Sequence, residues 1–279
     1  MHYFASGVSP CIHHTFGHAK ALASFLELPP VKMTSLEKLP RDSVYGVKHF
    51  KDIRTWLLSQ GDWRATFTGY DAEYKGTHPM GGALSLLWHA QAGPIFAATM
   101  NQYKLIEAPN MQDNVRKYLM GGTPRVELTQ DGVAYSNLDD LNTDITCFIE
   151  NGFCRFNVNS HLVDINQQSP KQGEVLVEVN YAFSEQGVSI SVERCNDSAY
   201  LVLPVIASPK EEVRISTREA SIKKNKEILY ITCEAGYIDV APTDSDGRIF
   251  NPVPGFSFVP LRIIPESIGK KIQINIYFC

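Results

Sequence analysis

From Pro40 onward the chain repeats one pattern, and that pattern restricts the fold more than any other feature. Short apolar runs, many alternating apolar with polar residues, are separated by turns rich in Gly, Asn, Asp and Pro. A period of two sends alternate side chains to opposite faces, so each run predicts a strand with a buried face. Such runs fall at residues 43–50, 63–68, 83–89, 94–99, 144–149, 154–158, 174–181, 188–194, 200–205, 228–233, 257–263 and 272–278. About a dozen strands with few helical interruptions predict a mainly β protein: a large antiparallel β-sandwich, supersandwich-like, of two or more sheets. Gln186-Gly187 predicts a hairpin turn between two of the strongest runs. Residues 53–60 suit a short helix, and 110–119 a loop or a helical turn.

The first thirty residues follow another rule. Ile12, Phe16, Ala19, Ala23 and Leu26 recur at intervals of three and four, which predicts a helix over residues 10–28. Pro29-Pro30 ends it, because proline lacks an amide donor and restricts the residue before it. The chain therefore divides into a helical segment, residues 1–30, and a sandwich, residues 31–279. One helix has little of its own to pack on. It either caps the sandwich or is the tail of a helical domain, and an uncovered apolar face on residues 19–26 is expected in the second case.

Charge and composition exclude several functions. A formal net charge of −4 argues against a nucleic-acid binder, whose affinity comes largely from neutralised phosphates. No apolar stretch reaches the roughly 20 residues that cross a bilayer. The opening Met1-His2-Tyr3-Phe4-Ala5-Ser6-Gly7 has neither the basic start nor the apolar run of a signal peptide. The six cysteines are dispersed without a C-x-x-C pair, which excludes a zinc knuckle and a thioredoxin motif. Most read as small buried hydrophobes, with disulfide pairing left open.

Two regions carry candidate chemistry. His14 and His18 are one helical turn apart and share a face, but the intervening Thr15-Phe16-Gly17 lacks the glutamate base of a zinc protease. They read as polar residues lining an interface, or as site residues without a metal. The richer region is 61–111. There His78 stands just before Met80-Gly81-Gly82, which opens a strongly apolar strand, with Arg64, Tyr70 and Tyr74 upstream. Glycines at such a point let a backbone or a ligand come close. A histidine beside them is a candidate acid or base. Thr243-Asp244-Ser245-Asp246-Gly247 starts like a calcium loop but lacks its closing glutamate, and reads as a turn. Lys223-Lys224-Asn225-Lys226 reads as a solvated hairpin tip. His89 and His161 read as surface or rim residues.

The run His78-Pro79-Met80-Gly81-Gly82-Ala83-Leu84-Ser85, followed by Gly93-Pro94-Ile95-Phe96, resembles the opening of the sandwich in heparinase II/III-like polysaccharide lyases. Those proteins begin this strand with a G-H-x-H-x-D-x-L-S-type motif. The segment from Cys11 to Lys20 resembles a late helix of the (α/α) toroid that precedes their sandwich. The resemblance implies that His78 takes the place of the first motif histidine, which helps to move a proton. Met80 stands at the second histidine and Gly82 at the aspartate, so it implies no metal here, and no cofactor. It implies β-elimination on a uronic-acid-containing glycan, a periplasmic or secreted location, and an acidic polysaccharide or oligosaccharide as partner. Most toroid helices, which in the family supply the tyrosine and the carboxylate-neutralising side chain, do not occur in this chain. The expectation is a sandwich portion with little or no activity alone. His78 is the catalytic candidate, with His14, His18, Arg64, Tyr70 and Tyr74 as substrate contacts. The alternatives are a non-catalytic carbohydrate-binding sandwich and a purely structural one.

Overall fold

The computed structural model describes residues 12–29, 42–69, 79–99, 120–193, 198–225, 227–243, 246–251 and 255–279, with helix side chains from Gly17 onward. Helix α1 spans Ile12–Glu27, within the predicted segment. Five strands follow: β1 (Gly46–Phe50), β2 (Thr55–Gln60), β3 (Trp63–Thr68), β4 (Ala83–His89) and β5 (Gly93–Ala97). Next come β6 (Arg125–Gln130), β7 (Val133–Ser136), β8 (Asp144–Glu150), β9 (Phe153–His161), β10 (Leu176–Phe183), β11 (Gly187–Glu193) and β12 (Tyr200–Ile206). The last are β13 (Val213–Ile215), β14 (Glu219–Lys224), β15 (Glu227–Ala235), β16 (Tyr237–Val240), β17 (Ile249–Asn251), β18 (Phe256–Ile264) and β19 (Ile272–Phe278).

All these pairings are antiparallel. Strands β1 to β5 form a five-stranded meander. A six-stranded sheet runs β16-β18-β12-β6-β7, with β17 on β18. An eight-stranded sheet has the order β13-β14-β15-β19-β11-β10-β9-β8. The mainly β sandwich expected from the period of two is the observed architecture.

The alternation that predicts the strands also builds the core. In β10, Val177, Val179, Tyr181 and Phe183 are buried while the residues between them stay partly exposed. Burying one face of such a strand is what holds its register, since a slip of one residue would turn the whole set to water. One apolar cluster draws from all three sheets. Phe67 of β3 joins the meander to the eight-stranded sheet: it stacks on Phe156 at 4.2 Å and meets Tyr181 edge-on at 4.9 Å. The β10–β11 turn is tight, with Ser184 N–H donating to the Gly187 carbonyl at 2.9 Å, so the hairpin predicted at Gln186-Gly187 is present.

Three expectations change. Residues 55–60 form a strand, and only Lys51–Ile53 make a helical turn, of 3₁₀ type. Its Trp-Leu-Leu cluster suits either period, and the paired edges of β1 and β3 decide it. His89 is no rim residue. It is buried, stacked on Phe278 at 4.2 Å, and Gln91 N–H donates to its Nδ1. The Lys223–Asn225 stretch does lie at the β14–β15 hairpin tip, but Lys224 is buried, its Nζ donating to the Ile206 carbonyl at 2.6 Å and to Glu211 at 3.0 Å. Burial pushes its pKa down, against the pull of the Glu211 carboxylate.

Candidate functional site

His78, Tyr70 and Tyr74 lie outside the described residues, as do residues 110–119. The two feet of the segment that carries the first three are described, and they lie at one end of the β3–β4 hairpin. Thr68 and Ala83 are the last pair there. At the first foot, Gly69 N–H donates to the Arg54 carbonyl at 2.9 Å. At the second, Met80 N–H donates to the Leu138 carbonyl at 3.0 Å, and the Met80 side chain is 1% exposed.

Gly81 locks the second foot. Its φ is +62°, and its carbonyl accepts from Asn137 Nδ2 and Ser160 Oγ, both at 3.1 Å. A Cβ built there would lie 1.5 Å from the Asn137 carbonyl oxygen, so no side chain fits. At Gly82 the obstacle would be the Val158 side chain. The pair therefore serves close packing by protein atoms, which fixes the backbone that follows the segment carrying His78.

Polar groups gather around these feet. Arg54, in the left-handed region at φ 41°, sends Nη2 to the Thr143 carbonyl at 2.5 Å. Thr143 Oγ1 donates to the Asp140 carbonyl at 3.3 Å. Buried Asp140 accepts from the His161 amide at 2.6 Å, and His161 Nδ1 stands 3.5 Å from the same oxygen. The His161 side chain is 39% exposed, so it does sit at a rim, with Nδ1 facing the buried Asp140 carboxylate.

A cavity of about 540 Å³ opens beside Leu138, lined in part by Met120, Arg125, Glu127, Asp139 and Asp164. Arg125 in its lining is already compensated: Arg125 Nε donates to Glu127 at 2.7 Å, and the Tyr200 hydroxyl donates to the other Glu127 oxygen at 2.8 Å. Burial, with the Glu127 carboxylate behind it, raises the Tyr200 pKa.

Arg64 is not brought to the feet. It lies five residues from Gly69, roughly 17 Å along β3, and its Nη1 is tied to the Gly61 and Trp63 carbonyls at 2.7 and 2.8 Å. His14 and His18 lie on α1, where His18 is exposed. Sequence reasoning passed over Arg54 and Asp140. Arg54 sat inside a misread helix, and Asp140 inside the turn-rich run Asn137-Leu138-Asp139-Asp140-Leu141-Asn142. A cluster of side chains that can each cap a turn was its visible signal.

The described residues form an antiparallel β-sandwich whose Gly81-Gly82 foot is flanked by Arg54 and by His161 set against the Asp140 carboxylate. The ulvan lyase C-terminal domain family matches residues 47–279, and the chain belongs to that family. It is 32% identical over 287 aligned residues to the broad-specificity ulvan lyase of Formosa agariphila, an alignment covering 98% of this chain and 44% of that protein. The chain thus spans less than half the length of this curated relative. The expectation of a polysaccharide-lyase C-terminal region stands. Among solved structures, the galactose 1-epimerase of Lactobacillus acidophilus NCFM is 8% identical, covering 81% of this chain and 94% of its own at a TM-score of 0.46. The Slr1438 protein of Synechocystis sp. PCC 6803 is 9% identical, covering 90% and 99% at 0.43. Neither likeness is strong enough to bear on function.

Proposed function

We propose that the chain is the sandwich portion of a lyase that cleaves uronic-acid-containing glycans, ulvan among them, by β-elimination. The reading is carried by the 32% identity to an ulvan lyase across nearly the whole chain. In this reaction a base removes the proton from C5 beside the uronate carboxylate, the C4–O bond breaks, and a C4–C5 double bond remains. The proton becomes acidic enough only when the carboxylate charge is neutralised by a cation or by hydrogen-bond donors. His78 takes the proton-transfer role, and Tyr70, Tyr74, His14, His18 and Arg64 are retained as candidate substrate contacts. Arg54, whose carbonyl accepts from the Gly69 N–H beside Tyr70, is a described cation at that segment's first foot and the one we assign to the substrate carboxylate.

Residues 1–30 are read as the tail of a preceding toroid of the heparinase II/III-like kind. Two observations support this. Leu22, Phe25, Leu26 and Leu28 on and just after α1 are 64%, 69%, 82% and 61% exposed, an apolar surface that costs free energy in water unless covered. The relative is also more than twice as long as this chain. On this reading the chain alone is weakly active or inactive, and a secreted location follows from a polymeric substrate.

The test is ultraviolet absorbance of the conjugated carboxylate on ulvan and other polyuronates, using this chain, the chain joined to the upstream part of a full-length lyase, and His78→Ala in both. The expected result is product from the joined protein, lost in the variant. Product that persists undiminished without His78 removes its role, and absence of product from the joined protein on every polyuronate removes the lyase reading.

A further inference from the structure

The face of the eight-stranded sheet turned away from the core has a feature that the reading above does not use. Strand pairing sets its side chains in rows. Phe148, Arg155, Ala182 and Ser189 stand side by side across β8, β9, β10 and β11. The next row is Thr146, Asn157, Asn180, Ser191 and, on β19, Gln273. At about 4.8 Å per strand, that row spans roughly 19 Å. The small side chains of Ala182, Ser189 and Ser191 leave a trough of about 470 Å³ between these rows, within the size range of saccharide-sized ligand sites.

The trough is polar and electrically graded. Asn157 Nδ2 donates to Glu178 at 2.9 Å and to Asn180 at 2.8 Å, so one row further on the carboxylate fixes how the amides point. At the opposite end stands Arg155. Its guanidinium lies over the Phe153 ring, 5.1 Å from the centroid, and its buried Nε has no hydrogen-bond partner among the described residues. The ring beneath holds the planar fork in place, ready for a two-oxygen anion.

We propose that this trough is a glycan-binding site that seats an anionic sugar unit, its carboxylate or sulfate ester on Arg155 and its hydroxyls on Asn180, Ser189, Ser191 and Gln273. Anion and guanidinium meet at one end, while Glu178 excludes the anion from the other, which gives a bound chain a direction. The proposal rests on the lyase reading only for the choice of an anionic glycan.

The test is isothermal titration of the full chain with ulvan oligosaccharides, polyuronate oligosaccharides, sulfated galactan oligosaccharides and neutral glucan oligosaccharides. Arg155→Gln is expected to weaken binding of the anionic probes by about tenfold or more, the usual scale for one charge-assisted contact. Arg155→Lys is expected to recover part of the loss. Ala182→Phe, which fills the trough beside Arg155 without touching its charge, is expected to abolish binding and decides the matter should Arg155→Gln fail to fold. A polyuronate preference assigns a carboxylate to Arg155, and a sulfated galactan preference assigns a sulfate ester. Folded Arg155→Gln and Ala182→Phe proteins that bind as the parent does overturn the site. So does neutral glucan bound as tightly as the anionic probes, or a parent chain that binds none of them. Binding is read without turnover, so loss of the lyase reading through missing product leaves this result standing on its own.

Discussion

Gly81→Ala tests the claim that the foot after His78 is held by close packing. Two costs add. An alanine at φ +62° pays the left-handed penalty of about 1–2 kcal/mol. Its Cβ, 1.5 Å from the Asn137 carbonyl oxygen, must then push apart two segments joined by the Asn137 and Ser160 bonds to the Gly81 carbonyl. Losing those two buried bonds costs about 0.5–1.5 kcal/mol each. The expected destabilisation is therefore about 2–5 kcal/mol. Asn137 also accepts from the Val126 amide at 2.8 Å, so movement there reaches β6. Gly93→Ala is the control: φ is +73° and no atom of the described residues lies within 4 Å of its Cβ, so only the conformational penalty of about 1–2 kcal/mol applies. Urea unfolding of the parent and both variants measures the difference. Equal losses for the two variants would refute the packing argument and leave only the backbone preference.

The other outcomes concern the core. Phe67→Ala removes the ring that stacks on Phe156 and meets Tyr181, and a loss of about 3–5 kcal/mol is expected in the same unfolding experiment. A loss below 1 kcal/mol would mean that the two sheets do not depend on this contact. His89 gives a pH dependence: burial lowers its pKa, with the Asp62 and Glu227 carboxylates pulling weakly the other way. Its folded form stays neutral while the unfolded chain protonates, so its contribution is whole above about pH 6.5 and declines as pH falls toward the depressed value. The melting temperature of the parent should thus fall faster below pH 6.5 than that of His89→Gln, and parallel curves would count against burial of the neutral ring.

The antiparallel sandwich was legible because a half-buried strand writes its burial into the sequence: Val177, Val179, Tyr181 and Phe183 alternate with residues that face out. Strands without that signature were missed, among them Val213–Ile215, with no residue fully buried, and Ile249–Asn251, with all three buried. The site was less legible. The segment around His78 was visible through its glycines, but the groups beside its feet come from Arg54, Asp140 and His161, far apart in the chain.

Sequence alone determined the period of two, the stop at Pro29-Pro30 and the apolar stripe on the helix, because each depends only on neighbours within a few residues. The tertiary structure decided everything that needs two distant segments to meet. It made Gly81 irreplaceable by setting Asn137 against it, and it buried His89 and Lys224, whose residue types suggest solvent. It also turned the amides and hydroxyls of strands β9, β10, β11 and β19 into one trough. Strand register is a property of paired edges, and no single strand carries it.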